Sequence, residues 1–219
     1  MIPESFFFWV RGTGFQIAVA LFVGGMVFRM AALALMARRK SLAEPRGSEW
    51  GPGLRMIWRR SFVLPQLGFR GKLTFVSGYL FHLGLLLVVL FLSQHILLLR
   101  SVLGFGWPSL PRGVIDVAAV LAMAALVVLL VHRFTDPVKR LLSDFQDYLS
   151  WTVTCLPLLT GFLLTRNAGF DYRTLLTVHL LTVELLLVVM PFTKLAHMFS
   201  TFGARWYNGA IAGLKGVLP

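Results

Sequence analysis

At 219 residues, 57% hydrophobic and only 14% charged, the chain differs in both respects from a water-soluble globule, for which about 45–50% apolar and about 25% charged is usual. Those figures, with a mean hydropathy of +0.77, define a polytopic membrane protein and exclude a large soluble catalytic domain, while the single cysteine, Cys155, excludes a disulfide framework or a cysteine-only cluster site. The formal net charge of +12 raises nucleic acid as a partner, but in a membrane protein an excess of Lys and Arg reports topology and anionic lipid instead.

Taken in chain order, five segments reach the roughly 20 apolar residues that a bilayer crossing needs. They run over 15–36, 73–99, 114–132, 148–165 and 174–192, separated by Pro, Gly and charged residues. The first is not read as a cleavable signal, because residues 1–11 carry no basic cluster and the apolar run is too long. Lipid offers the backbone no hydrogen-bond partners, so each span is expected to be helical. The expectation is an all-α integral membrane protein of five transmembrane helices forming one domain over residues 1–219, with neither internal repeat nor low-complexity segment.

Basic residues then orient the spans. Arg38, Arg39, Lys40, Arg46, Arg55, Arg59, Arg60, Arg70 and Lys72 lie between spans one and two, Arg133, Lys139 and Arg140 between spans three and four, and Lys194, Arg205 and Lys215 after span five. That puts fifteen on one side against five on the other: Arg11, Arg100, Arg112, Arg166 and Arg173. The asymmetry places the N-terminus outside and the C-terminus in the cytoplasm. Nucleic acid drops out as a partner. The basic inner loop 38–72 also holds Trp50 and Trp58. It is expected to rest on anionic lipid, to dock a cytoplasmic subunit, or to do both.

Ionisable residues within a bilayer are costly and mark function by default. His82 and His95 fall on span two, His179 on span five and His197 just beyond it. The two spans are antiparallel, so depth sorts the four into an inner pair, His82 with His197, and an outer pair, His95 with His179. Each pair is placed to hold one haem iron from its two axial sides. His179 and His197 are 18 residues apart, five full turns of an ideal helix, whereas His82 and His95, 13 apart, sit about 140° off a common face. The bland alternative is that each histidine hydrogen-bonds a neighbouring helix. Zinc fits poorly, since neither pair has a carboxylate or thiol beside it. His132, next to Arg133 at the inner end of span three, reads as an interfacial residue.

Other polar residues leave alternatives open. Arg29 in span one and Glu184 in span five could form a buried ion pair. Alternatively Arg29 snorkels or meets a haem propionate, and Glu184 carries protons for a quinone reaction. Arg100, Arg112, Arg166, Arg173 and Asp171 lie in the outer loops, either around an outer haem's propionates or as a solvated rim. Gly78 and Gly84 permit close approach of a helix or a porphyrin, and Pro157 marks a local kink in span four.

The stretch Pro191, Phe192, Thr193, Lys194, Leu195, Ala196 and His197, running on into Met198, Phe199 and Ser200, resembles the Pro-Phe-(Ser/Thr)-(Arg/Lys)-Leu-x-His segment of the respiratory nitrate reductase gamma subunits. Those are five-span dihaem b-type cytochromes, and their motif too is preceded by a histidine 18 positions earlier, here His179. Leu80, Phe81, His82, Leu83 and Gly84 at the start of span two, and the Arg133 to Pro137 turn, are similar to further family features. The resemblance implies that His82 and His197 ligate an inner haem b and His179 an outer one, with His95 the second-helix candidate opposite. It departs from the family at the quinol-site lysine near the start of helix three, where this chain has Val114, Ile115 and Asp116 after Arg112.

What the resemblance implies is a dihaem cytochrome b subunit in a bacterial or archaeal cytoplasmic membrane, passing electrons between the membrane quinone pool and a cytoplasmic iron–sulfur partner. Similar gamma-type subunits serve heterodisulfide-reductase-like and sulfite-reduction-associated complexes, so the family name does not fix the substrate. Terminal catalysis is expected on a partner subunit. Arg29, Arg112, Arg173 and Glu184 are the candidates for propionate or quinone contacts. The rival from another class is a small polytopic transporter or assembly or anchor protein that uses the same polar residues without haem.

Overall fold

The computed structural model describes residues 2–36, 44–62, 68–166 and 169–217. Among them all regular structure is helical, and five helices are long and apolar enough to cross a membrane: Glu4–Leu35, Phe69–Phe91, Arg112–Thr135, Phe145–Thr165 and Tyr172–Phe192. The chain is thus a multi-pass helical membrane protein. Arg38, Arg39 and Lys40, counted in the inner loop, lie outside the described residues.

Span one is longer than expected. It begins with α1 (Glu4–Trp9), passes through a π-helical stretch at Val10–Gly14 and continues as α2 (Phe15–Met36). Helix α4 (Phe69–Phe91) forms span two, α6 (Arg112–Thr135) span three, α8 (Phe145–Thr165) span four and α9 (Tyr172–Val189) span five. Shorter helices lie between and after them: α3 (Trp50–Arg60), α5 (Ser93–Leu103), α7 (Pro137–Leu142) and α10 (His197–Leu214).

Local chemistry explains where the helices start. Asp136 accepts from the backbone N–H groups of Val138 and Lys139, with Pro137 in the first turn of α7, an N-terminus that uses both the side-chain cap and the proline preference. The Lys139 N–H bond is the main reason that the Asp136 carboxyl titrates below its usual range. Asp144 and Asp147 form a reciprocal capping box on α8, and Asp171 caps α9 through Thr174. Asp171 thus serves the backbone of its own helix.

Neighbouring helices pack in the order α4, α6, α8, α9, α2. The core sits on α6, whose Ala118, Ala122 and Ala125 are buried. Small residues let backbones approach, as expected where lipid removes the hydrophobic drive between helices. A Cβ added to Gly84 would lie 2.7 Å from the Ala118 carbonyl oxygen and 2.9 Å from Ala122 Cβ, so Gly84 admits helix α6. Phe81, Leu126 and Leu158 fill the adjoining layer. Helix α8 runs on through Pro157, and the Trp151 indole N–H donates to Leu126 O at 2.8 Å, fastening α8 to α6.

At the Lys/Arg-rich end, α3 packs along α10, two helices hidden within segments read only as basic loop and tail. Glycines set their separation: a Cβ on Gly53 would lie 2.6 Å from the Trp206 ring, and one on Gly209 would lie 2.7 Å from Met56 Cβ. Substituting Gly209→Val is expected to cost about 1–3 kcal/mol by overpacking. Limited proteolysis of the detergent-solubilised protein should then cut faster within residues 44–62, leaving the spans as resistant as before.

Candidate functional site

The chain breaks between the two histidines expected on span two, and again between His179 on span five and His197 just beyond it. The second span ends at Leu92, which has extended geometry (φ −72°, ψ 129°), and the chain resumes as α5. His95 Nδ1 donates at 3.0 Å to Val88 O, which also keeps the Leu92 N–H at 3.3 Å. Of the carbonyls that the break releases, Leu90 O accepts from the Trp107 indole N–H at 2.7 Å and Phe91 O from the Leu110 N–H at 3.2 Å. Gly104, in the left-handed region at φ +80°, ends α5 and turns the chain back to supply the last two donors. The 140° mismatch between His82 and His95 on an ideal helix therefore does not arise, because the two residues stand on separate helices.

The fifth span breaks at its motif. Helix α9 stops at Val189, two short 3₁₀ turns follow at Met190–Phe192 and Lys194–Ala196, and His197 opens α10. The five-turn spacing of His179 and His197 consequently does not describe their relation. Pro191 lies against α2 at Gly25, where a Cβ would come within 2.7 Å of the proline ring. Arg29 donates to Pro191 O at 2.7 Å and to Thr193 O at 3.1 Å. Lys194 Nζ reaches Asp147 at 2.7 Å and Asp144 at 3.1 Å, and these bonds raise its ammonium above the ordinary lysine range.

These breaks bring the histidines together as depth alone had paired them. The rings of His82 and His197 lie 5.9 Å apart between centroids, at 84° to one another. Those of His95 and His179 lie 6.4 Å apart, at 13°. No hydrogen bond joins the two rings of either pair among the described residues. Each pair thus joins an element before span three (α4 or α5) to one at span five or after it (α9 or α10).

Every one of the four uses Nδ1 within the protein. His82 Nδ1 is 2.6 Å from Gly78 O and His197 Nδ1 is 2.9 Å from Lys194 O. A carbonyl can only accept, so Nδ1 carries the proton and the lone pair of neutral imidazole is on Nε2. The same holds for His95 through Val88 O. Thr160 Oγ1 donates to Leu156 O at 2.8 Å and accepts from His179 Nδ1 at 3.1 Å, which leaves His179 Nε2 in the same state. Gly161 makes room for that ring, since a Cβ there would sit 3.0 Å from His179 Cε1.

The arrangement fits two bis-imidazole metal sites. Metal–nitrogen bonds of about 2.0–2.1 Å on opposite sides of one ion separate the two ring centroids by about 6.3 Å, for imidazole bonds of roughly 1.33 Å. Both pairs are close to that figure, and a direct hydrogen bond between rings would draw them closer. Anchoring of Nδ1 by a carbonyl or hydroxyl is the outer-shell support that ligating histidines have. Gly78, one turn before His82, faces open space, with no atom within 4 Å of an added Cβ.

Arg29 and Glu184 are not paired. Arg29 is committed to the carbonyls of the fifth-span break, whereas buried Glu184 has its Oε1 without any partner among the described residues. Arg112 donates to Thr165 O and lies 4.0 Å from Asp116, which Arg166 approaches to 2.9 Å. Arg173 lies 3.8 Å from Glu4 and stacks over Phe7. Arg100 makes no ion pair among the described residues. His132 is buried, with Nδ1 3.1 Å from Thr74 Oγ1 and 3.0 Å from Lys139 Nζ; it ties α4, α6 and α7 together and lies in neither pair. Thr160, Gly161 and Trp107 went unnoticed in the sequence, although a threonine three residues after a mid-span proline is a readable polar signal.

No protein-family model matches the chain, and no solved structure does. A protein of the bacterium Nitratidesulfovibrio vulgaris strain Hildenborough, described only as "Protein", is 40% identical over 140 residues, 64% of this chain. The chain spans about 62% of that relative's length.

Replacing Arg29 with leucine strands the Pro191 carbonyl, at about 1–3 kcal/mol for an unpaired buried group, and leaves Thr193 O with the Ala196 N–H alone. The thermal midpoint is expected to fall by roughly 5–10 °C, with Arg29→Lys recovering part of the loss. Differential scanning fluorimetry of the purified protein measures both.

Proposed function

We propose that this chain is a dihaem b-type cytochrome subunit that carries electrons between the membrane quinone pool and a cytoplasmic iron–sulfur partner. The observation that carries this reading is the meeting of four histidines, on or next to spans two and five, in two pairs, each ring held by Nδ1 with Nε2 free to ligate. In this reading His82 and His197 hold the inner group and His95 and His179 the outer. Haem bound at the two pairs supplies one-electron carriers at two depths of the bilayer.

The chain's own contribution is ligation, orientation and burial. Val88 O, Gly78 O and Lys194 O fix three imidazole tautomers, and Thr160 fixes the fourth. Arg100 on α5, five residues beyond His95, is available to neutralise a propionate. The charge asymmetry supports an orientation in which the Lys/Arg-rich end, with α3 and α10, faces the cytoplasm and its redox partner. The membrane is then a bacterial or archaeal cytoplasmic membrane. The similarity to respiratory nitrate reductase gamma subunits in the fifth-span motif supports the same reading.

A pyridine haemochrome assay of protein expressed with ample haem should give a b-type spectrum with close to two haems per chain. A colourless, folded protein overturns the reading in favour of a haem-free transporter or anchor. His197→Ala should remove the inner haem alone and His179→Ala the outer alone, each halving the haem content. Thr160→Val should retain both haems while moving one midpoint potential in a redox titration, because the hydrogen bond behind His179 is lost while its Nε2 is kept.

A further inference from the structure

Glu184 projects from α9 on a different face from His179, toward span one. The side chain is 9% exposed, and its Oε1 has no hydrogen-bond partner among the described residues. It lines a cavity of about 300 Å³ together with Trp9, Gly14, Ala18 and Leu181. The cavity lies beside the π-helical stretch Val10–Gly14, a backbone irregularity that recurs at functional sites. Gly14 lets the Trp9 ring lie close to the backbone, since a Cβ there would come within 3.1 Å of it. Trp9 and Leu185 also reach the outer surface of the bundle, 49% and 45% exposed, so the cavity borders the lipid.

An apolar cavity of this size at the low end of the ligand-pocket range, with one polar group, admits a small ring rather than a large polar ligand. A lipid acyl chain would fill the volume yet leave the carboxyl unpaired, and an unpaired buried polar group costs about 1–3 kcal/mol. A quinone or hydroquinone ring answers both demands. Its carbonyl accepts from a neutral carboxyl, its hydroxyl donates to an ionised one, and its faces stack against the Trp9 indole. We infer that the cleft between the π-helical stretch and α9 binds the headgroup of a membrane quinone, with Glu184 as its hydrogen-bonding partner. This inference rests on the reading of the chain as a quinone-linked cytochrome and assigns the place of contact, on the same helix α9 as His179 of the outer pair.

The test is a decylubiquinone titration of the full chain in lipid nanodiscs, followed by quenching of tryptophan fluorescence against empty nanodiscs, with haem per chain measured in parallel. Wild type should bind saturably. Glu184→Leu should weaken binding about tenfold, Glu184→Gln less, and Ala18→Leu, which fills the cavity, should abolish it, all at unchanged haem content. Glu184→Gln preserves shape, so it decides the matter if Glu184→Leu fails to fold. Two haems per chain with binding insensitive to all three variants overturns the site but leaves the cytochrome reading intact. Binding that depends on Glu184 in a protein without haem keeps the site and overturns the cytochrome. Phospholipid that co-purifies with wild type but not with Ala18→Leu, and that decylubiquinone does not displace, also overturns the site.

Discussion

A helix broken inside a bilayer frees carbonyls that no water can satisfy, and this chain's two main breaks are built around that constraint. At Leu92 the donors are an indole and a backbone N–H that the chain brings back from the loop after Gly104. At Pro191 the donor is one guanidinium, that of Arg29 on another span, which also reaches Thr193 O. Each break separates two histidines and re-aims the second. The groups that repair the backbone thus also fix where His95 and His197 stand.

That economy explains why Arg29 and Glu184 are not a pair. A buried ion pair recovers its desolvation cost only when geometry and further hydrogen bonds are favourable, whereas Arg29 meets two strong acceptors at the turn and stays tied to them. Glu184 is left facing a cleft. Charges at the basic end are disposed differently, in exposed ties such as Lys194 to Asp144 and Asp147. Ties of that kind are individually worth little and act together to fix the start of α8 against the turn before His197.

The sequence made the five spans legible because length and apolarity are averages over some 20 residues, which local irregularity cannot erase. Pairing by depth was legible for a related reason: antiparallel order along the membrane normal survives a kink. Helical phase does not survive one, so the five-turn argument for His179 and His197 and the 140° objection to His95 both fell with the ideal helix they assumed. Helices α3 and α10 were hidden because α3 is only 11 residues long and rich in Arg, so it reads as charge, and because Gly53, Gly209 and Gly213 are weak helix formers. Those glycines become meaningful only once the partner helix is known. Gly84 was read as open to a helix or a porphyrin, and its contacts with Ala118 and Ala122 give it to the helix.

The two histidine pairs are supported in different ways, and the difference follows from where each break falls. The outer pair is half-buried, with parallel rings. His179 is held from α8 by Thr160, beside Gly161, inside a helix that continues through Pro157. The inner pair is exposed, with crossed rings, and His197 is the first residue of α10. The backbone offering His197 is therefore fixed on one side by Arg29 and Lys194 and on the other by the glycine-set packing of α10 on α3. The orientation of that ring is a property of the whole basic end, whereas the orientation of His179 is decided within the bundle. Two imidazole pairs built from similar residues thus stand in different electrostatic and mechanical surroundings, and surroundings of that kind set a metal site's properties once the ligands are fixed.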